Sequence, residues 1–163
     1  MKLMFLGPPG AGKGTMASRL AQDLGIPHIS TGDIIRGAIR NETPLGKQVK
    51  EIVEGGKLVP DDLTNALVAE RLKEKDVARG FILDGYPRTL GQAHALAAMT
   101  SLDKVVNFEL AEEELVKRLS GRRVHKASGR TYHVLFNPPK TAGKDDVTGE
   151  DLWQRPDDQE DAI

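Results

Sequence analysis

Short apolar runs alternate with amphipathic stretches in the chain up to residue 120. The runs that suit strands are 2–6, 28–30, 80–84 and 105–108. Apolar side chains recur at helical spacing within 13–24, 34–39, 45–53, 63–72, 90–99 and 112–119. Strands that alternate with helices form parallel sheets through crossover connections. The pattern therefore predicts an α/β fold, with helices on both faces of a parallel sheet and ligand chemistry at the carboxyl ends of its strands.

Polar and turn residues indicate where these elements begin and end. Thr31-Gly32-Asp33 is predicted to cap the helix that carries Ile34. Gly55-Gly56 is predicted to end one helix, and Pro60-Asp61-Asp62 to open the next.

The pattern changes after Arg122. Residues 125–133 resemble a short hairpin, and residues 137–149 are rich in Pro, Gly, Lys and Asp. These features predict a small inserted module rather than a continuation of the sheet. The predicted hydrophobic core of this module is Tyr132, Phe136 and Trp153.

A glycine-rich turn separates the first predicted strand from the first helix. It reads Gly7-Pro8-Pro9-Gly10-Ala11-Gly12-Lys13-Gly14-Thr15, with the spacing of a P-loop. Backbone N–H groups of such a turn converge on phosphate oxygens, the lysine adds positive charge, and the helix N-terminus points at the same phosphates. Gly14 stands where the motif usually has a hydroxyl, and Thr15 follows one residue later. The turn therefore predicts phosphate binding more strongly than direct metal binding.

Two residues near the third predicted strand have chemistry that suits a phosphate site. Asp84 ends the strand, where a carboxylate beside a P-loop can hold Mg²⁺ directly or through water, or can simply cap the turn. Arg88 follows the rigid turn Gly85-Tyr86-Pro87, which would aim its guanidinium at bound phosphate, although most surface arginines are only solvated.

Other arginines are candidates for anion binding. Arg36 follows Asp33 by three residues, so an ion pair within the helix competes with a binding role. Arg118 and Arg122 are four residues apart and are predicted to share a face at the end of one helix. With Arg155 they would place cations at both ends of the inserted module. Phosphoryl transfer needs such cations, because negative charge spreads over the oxygens of the transferred group.

Composition narrows the possible partners. The chain has 163 residues, 39% of them hydrophobic, which suits one domain with a substantial core. The formal net charge of -1 gives no overall basic field, so we expect no nucleic-acid partner. Cysteine is absent, and no apolar run approaches the ~20 residues that cross a bilayer, so we expect no disulfide and no membrane partner. We expect a cytoplasmic location, since the chain enters its first strand without a signal segment.

Four polar residues of the inserted module are spaced as in a metal site. His125-x-x-Ser128 and Asp145-x-x-Thr148 have a spacing that holds zinc when the residues are cysteines. Serine and threonine are poor zinc ligands. We therefore predict no zinc, and a hydrogen-bonded tetrad of His125, Ser128, Asp145 and Thr148 that staples the module.

Several of these motifs occur together, and in this order, in adenylate kinases. The chain resembles the bacterial members that have a long lid and bind no zinc. The resemblance is carried by the P-loop, Ser30-Thr31-Gly32-Asp33, Asp84-Gly85-Tyr86-Pro87-Arg88-Thr89 with Gln92, and Gly121-Arg122-Arg123 before the lid. The resemblance covers all 163 residues. It implies a P-loop nucleoside monophosphate kinase fold and a cis Tyr86-Pro87 bond. It also implies reversible transfer of the ATP γ-phosphoryl group to AMP, giving two ADP, with Mg²⁺.

The resemblance implies roles for the residues at matching positions. Catalytic roles fall on Lys13, Arg88, Arg122, Arg155, Asp157 and Asp158. ATP binding falls on Gly10, Ala11, Gly12, Lys13, Gly14, Thr15, Arg118, Arg122, Thr131 and Tyr132. AMP binding falls on Thr31, Arg36, Lys57, Val59, Gly85, Arg88, Gln92 and Arg155. Gln92 would read the adenine edge through paired hydrogen bonds, and Asp84 would hold Mg²⁺ through water.

The implied organisation is a P-loop core at 1–121, which includes an AMP-binding helical segment at 30–59, and a lid at 122–158. Residues 159–163 would begin a further core helix. Family members continue with that helix, a fifth strand and a final helix, which are missing from this sequence. We therefore expect an uncovered sheet edge and weak or absent catalysis by this chain. We also expect a monomer.

Two other functions stay open on the sequence. One is a kinase for another nucleoside monophosphate, CMP or UMP, although Gln92 and Thr31 favour AMP. The other is a nucleotide-binding module without catalysis, in which lid closure acts as a switch. Initial rates with each monophosphate test the first alternative. Tight binding of a linked ATP–AMP mimic without ADP formation would support the second.

Overall fold

The computed structural model of the chain describes residues 1–55, 57–155 and 158–159. Asp157, which the resemblance assigns a catalytic role, lies outside the described residues, as does the end of the segment predicted to begin a further helix. The chain divides into two units. The first contains Met1–Leu6 and Lys13–Asn107, and the second contains Gly7–Gly12 and the chain from Phe108 onward.

The first unit is built on a four-stranded parallel sheet. Its strands are β1 (Lys2–Leu6), β2 (His28–Ser30), β3 (Phe81–Asp84) and β4 (Lys104–Asn107), in the order β2-β3-β1-β4. Asp84, the last residue of β3, is in register with Phe5 of β1 and Ser30 of β2. The mixed α/β fold with a parallel sheet is therefore confirmed, and the carboxyl ends of three strands meet at one edge.

Five helices accompany this sheet. They are α1 (Lys13–Leu24), α2 (Thr31–Arg40), α3 (Pro44–Glu54), α4 (Asp61–Arg71) and α5 (Leu90–Met99). A short 3₁₀ turn, which the hydrophobic pattern did not indicate, covers Lys75–Arg79. The buried core combines residues of the sheet, of α4 and α5, of the 3₁₀ turn and of the turn after β3: Met4, Ile29, Val68, Val77, Phe81, Leu83, Tyr86 and Leu96. None of the helices in the described part of the chain is long and apolar enough to span a membrane.

The predicted cap of α2 is wrong. Thr31 is the first helical residue, and the N-cap residue is Ser30, whose side chain makes no capping hydrogen bond. The Thr31 hydroxyl instead donates to the carbonyl oxygen of Gly85, 3.0 Å away. A contact with a distant turn therefore replaces the local cap.

Strand β4 is an edge of the sheet. It pairs with β1, and all four of its residues are exposed, including Val105 and Val106 at 50% and 40%. In the described part of the chain this edge is uncovered, and it presents apolar side chains to solvent.

Gly46 permits the close approach of α2 and α3. A Cβ atom at Gly46 would lie 2.0 Å from the carbonyl oxygen of Ala38. We therefore expect Gly46→Ala to lower the melting temperature by about 5 °C, since the two helices must move apart. Thermal unfolding followed by circular dichroism measures this. Gly37→Ala is the matched control in α2, because a Cβ there meets nothing within 4 Å, and it should not lower the melting temperature. Equal losses in both variants would contradict the packing explanation.

The second unit contains helix α6 (Glu112–Ser120) and an antiparallel pair of strands, β5 (Arg122–Val124) and β6 (Thr131–His133). The predicted hairpin is present, but its first strand lies just before the predicted segment 125–133, and its second strand lies at the end of that segment. The predicted shared helix face of Arg118 and Arg122 is wrong, because α6 ends at Ser120 and Arg122 is already the first residue of β5.

The predicted hydrophobic core of the inserted module is wrong in two of its three residues. Tyr132 is buried, but Phe136 and Trp153 are 62% and 39% exposed. The Phe136 ring stacks on His133 with centroids 4.4 Å apart, and the Lys126 ammonium lies 4.7 Å from the centre of the Trp153 ring. Both aromatic rings therefore contact polar partners near the surface.

Candidate functional site

The glycine-rich turn has a backbone path that requires glycine. Gly7, Gly10 and Gly12 have φ values of 135°, 81° and 91°. A Cβ atom at Gly7 would lie 2.4 Å from the carbonyl oxygen of Phe108. Left-handed residues at this spacing are typical of turns whose N–H groups form an anion-binding concavity.

Helix α1 begins at Lys13, as the P-loop spacing predicts. Gly14 lies beside Asp84, since a Cβ atom there would be 3.5 Å from Asp84 Oδ2. Thr15, the displaced hydroxyl of the motif, is exposed. The first turn of α1 and the carboxylate at the end of β3 are therefore neighbours within the first unit.

Asp84 belongs to a short chain of polar side chains. Its Oδ2 atom lies 3.2 Å from Nε2 of His28, and Nδ1 of His28 lies 3.3 Å from the Ser18 hydroxyl. In a neutral imidazole, Nε2 can donate to Asp84 while Nδ1 accepts from Ser18. The Asp84 side chain is only 13% exposed. One partly buried carboxylate with a hydrogen-bonded partner fits Mg²⁺, which takes few protein ligands and completes its coordination with water and phosphate oxygens.

Three of the predicted AMP-binding residues meet at the turn after β3. The carbonyl oxygen of Gly85 accepts from the Thr31 hydroxyl at 3.0 Å and from Arg88 Nε at 2.8 Å. Gly85 has φ 76°, and a Cβ there would lie 3.1 Å from Arg88 Nη2. The Tyr86-Pro87 bond is cis, as the resemblance implies. The turn therefore holds the Arg88 guanidinium near the carboxyl ends of the strands.

Gln92 is buried, and both ends of its amide have partners. Oε1 accepts from the Arg88 backbone N–H at 2.7 Å, and Nε2 donates to Asp61 Oδ1 at 2.7 Å. Thr89 donates to the other carboxylate oxygen of Asp61 at 2.5 Å. The neighbouring Tyr86 hydroxyl has a raised pKa, mainly because it is buried and also because of the Asp61 charge, so it remains a donor.

The other predicted AMP-binding residues are not joined to this turn. Arg36 forms the expected ion pair with Asp33, at 2.5 Å, and both side chains are about half exposed. Lys57 and Val59 follow α3, and Lys57 is exposed. Across the described ranges, no side-chain hydrogen bond connects these residues to the Gly85 turn.

In the second unit, two of the residues assigned catalytic roles contact each other. Arg122 Nε donates to Asp158 Oδ2 at 2.8 Å, and Arg122 Nη2 donates to the other carboxylate oxygen. The Asp158 side chain is fully buried. Arg155 is half-buried, and its carbonyl oxygen accepts from the Asp158 N–H at 3.1 Å. Arg118 is half-buried on α6, and Thr131 is exposed on β6.

The structure brings the four residues of the predicted lid tetrad together. His125 Nδ1 lies 2.7 Å from the Ser128 hydroxyl, and the Thr148 hydroxyl donates to Asp145 at 3.0 Å. His125 and Asp145 are linked through Thr148, whose hydroxyl is 3.3 Å from His125 Nε2. Glu150, which the sequence pattern did not indicate, lies 2.5 Å from the same nitrogen.

Arg130 is the principal partner of Asp145 and was also missed. Its Nε and Nη2 donate to the two carboxylate oxygens at 2.8 and 2.6 Å. Tyr132, a predicted ATP-binding residue, donates to the same carboxylate at 2.9 Å. The hydrogen bonds from Arg130, with those of Thr148 and Tyr132, hold the pKa of Asp145 far below its ordinary range, and Asp145 raises the pKa of Arg130. The ion pair of Arg130 and Asp145 therefore lies at the centre of the lid. No spacing rule in the sequence indicated it.

A parallel α/β sheet with a P-loop after its first strand is common to many phosphate-binding proteins and agrees with the fold of a P-loop nucleoside monophosphate kinase. The chain matches the family model of adenylate kinase over residues 5–163 and belongs to that family. Its family chemistry is phosphoryl transfer between nucleotides, so the protein is a nucleotide-binding transferase of the kinase class.

Proposed function

We propose that the protein transfers the γ-phosphoryl group of ATP to AMP and produces two ADP. The observation that carries the proposal is the turn after β3, where the Thr31 hydroxyl and the Arg88 guanidinium meet at the Gly85 carbonyl. This turn directly follows Asp84, which lies beside the first turn of the P-loop helix. An acceptor phosphate bound there would face the carboxyl edge of the sheet, where α/β proteins bind their ligands.

Arg88 supports the assignment of this turn as the acceptor-phosphate site. Arg88 is exposed, while its Nε is fixed by a hydrogen bond to the carbonyl oxygen of Gly85. A guanidinium held at one nitrogen keeps its remaining donors in a planar array, which suits the oxygens of a phosphate. Gln92 follows four residues later and is bonded to the Arg88 backbone, so base and phosphate contacts would come from one rigid segment.

The donor side is supported by the P-loop. The N–H groups of the turn from Gly10 to Thr15 would bind the phosphates of ATP, and Lys13 would offset charge on the transferred group. Asp84 would hold Mg²⁺ through water, and the ion would supply positive charge on the phosphate oxygens. Arg118, Arg122, Thr131, Tyr132 and Arg155 stay predicted ATP and phosphate ligands.

The chemistry requires positioning rather than a general base. An oxygen of the AMP phosphate is already ionised near neutral pH and can attack the γ-phosphorus directly. The bond from that phosphorus to the bridging oxygen breaks, and ADP leaves with the electron pair. The protein then contributes charge, alignment and exclusion of water.

Initial rates of ADP formation with MgATP and each of AMP, CMP and UMP test the proposal. We expect kcat/KM to be highest for AMP. Faster turnover with CMP or UMP would assign the protein to another monophosphate. Tight binding of a linked ATP–AMP mimic with no ADP formed would favour a binding module. The same assay on a chain extended with the C-terminal elements of the family tests the expectation that catalysis by the 163-residue chain is weak.

A further inference from the structure

The orientation of the Gln92 amide is fixed by its neighbours. The oxygen end faces the N–H of Arg88, which can only donate, and the nitrogen end faces the carboxylate of Asp61, which can only accept. Reversing the amide would set two donors against each other at one end and two acceptors at the other, both at 2.7 Å. Of the two possible orientations, the protein therefore accepts one.

Asp61 is itself firmly held. It is the first residue of α4, where the helix dipole favours a negative charge. Its second oxygen accepts from Thr89, and the Thr89 hydroxyl in turn accepts from the Gln92 backbone N–H at 3.1 Å. Gln92 is 5% exposed, so the amide has little room to rotate away. Asp61, Thr89 and Gln92 are therefore joined in a ring of hydrogen bonds.

We propose that Asp61 is a specificity-determining residue, which locks the Gln92 amide so that it selects nucleobases with an exocyclic amino group beside an unprotonated ring nitrogen. This inference rests on the proposed function, in which Gln92 contacts the acceptor base. After its bonds to Arg88 and Asp61, the amide retains one N–H and one oxygen lone pair. The lone pair accepts from an amino group and the N–H donates to a ring nitrogen.

The locked amide divides the monophosphates into two classes. Adenine presents its 6-amino group beside N1, and cytosine presents its 4-amino group beside N3, so both match. Hypoxanthine, guanine and uracil present a carbonyl oxygen beside a ring N–H, which is the reverse order. A reversed edge leaves buried polar groups opposed, a mismatch that binding sites reject strongly. Asp61 therefore favours AMP and CMP over IMP, GMP and UMP.

Asp61→Asn tests this inference, because asparagine can either accept or donate and so removes the restraint at the nitrogen end of the amide, which leaves only the Arg88 N–H to favour one orientation. The dissociation constants of AMP and IMP are measured by calorimetry on the full chain, which needs no turnover. We expect the unmodified protein to prefer AMP by at least ~10²-fold and the variant to reduce this ratio by ~10-fold or more. If Asp61 had a purely structural role, its replacement would weaken the binding of AMP and IMP equally and leave the ratio of their dissociation constants unchanged. That result would overturn the inference.

Asp62→Asn is the matched control, since it removes the same charge from the next residue of α4, where the side chain is exposed. Its AMP to IMP ratio should equal that of the unmodified protein, and an equal change in both variants would overturn the inference. Thermal unfolding verifies that both variants are folded.

The unmodified protein provides a second test of the inference. Tighter binding of IMP than of AMP, or of UMP than of CMP, overturns the inference even where Asp61→Asn does not fold. Failure of the proposed function has a different result, namely no measurable binding of AMP and no ADP formation by the extended chain. An AMP to IMP ratio that is undiminished in Asp61→Asn, while AMP still binds, overturns the inference alone.

Discussion

Replacing Lys13 by methionine is expected to reduce kcat/KM for ATP by about 10³-fold. Methionine keeps the length of the side chain but removes the charge that offsets the negative oxygens of the transferred group. The loss should appear in kcat as well as in KM, because charge on these oxygens is redistributed as the phosphoryl group moves. Initial rates of ADP formation at saturating AMP, on the chain extended with the C-terminal elements of the family, measure both constants.

Lys50→Met is the control for this prediction. Lys50 lies on α3, with its side chain 53% exposed and its only ion pair at 3.9 Å from Glu54 in the described structure. Its replacement should leave kcat/KM unchanged. A Lys13→Met enzyme that retains more than a tenth of the activity, or a control that loses as much, would contradict the role of Lys13. A raised KM with unchanged kcat would limit Lys13 to ground-state binding.

The position of Lys13 at the start of α1 also supports a functional role for this residue. The helix dipole disfavours a cation at the N-terminus of α1. Helix stability therefore does not explain the lysine. Residues that break a local rule are expected at functional sites.

The parallel sheet could be predicted because apolar runs and amphipathic stretches alternate, but the contacts of Asp84 could not. Side chains two residues apart on a strand share a face, so pairing Ser30 with Asp84 brings His28 to the carboxylate. The register that sets this pairing depends on packing across the sheet, which the sequence pattern does not specify. The role of Asp61 was also missed. Its position suggested only a helix start, and its contacts with Thr89 and Gln92 depend on how α4 packs against α5.

The lid was the least predictable part of the chain. Apolar size suggested that Phe136 and Trp153 are buried, whereas the interior is formed by paired polar side chains around Asp145. The end of α6 does have a signal in the sequence, namely Gly121, which directly follows the helix. A Cβ atom at Gly121 would lie 2.3 Å from the His133 ring, so glycine is required where the chain turns into β5. That requirement separates Arg122 from the helix that carries Arg118.

Asp145→Asn is expected to lower the melting temperature of the protein by about 10 °C at neutral pH. The carboxylate accepts from Arg130, Tyr132 and Thr148, and an amide can accept at one end only. Arg130 would lose its charged partner, and one donor would oppose another. Hydrogen exchange should place the loss of protection within residues 122–155 of the lid.

The pH dependence separates the charge of Asp145 from its packing. The folded protein holds the pKa of Asp145 below its ordinary value of 3.8, so the ionised form stabilises the folded state. This contribution is fully present above the ordinary pKa and is lost as the pH falls below it towards the lower folded value. The unmodified protein should therefore lose stability below about pH 4, and Asp145→Asn should lose less over the same range.

Melting temperatures from pH 7 to pH 3 test this dependence, with Asp151→Asn as the control. Asp151 has an 84% exposed side chain in an ion pair with Lys144, so its replacement removes the same charge from a solvated position. It should change the melting temperature little and keep the acid sensitivity of the unmodified protein. If Asp145→Asn had the same acid sensitivity as Asp151→Asn, the ionised Asp145 carboxylate would not stabilise the lid, and packing alone would have to explain why Arg130 and Tyr132 lie around it.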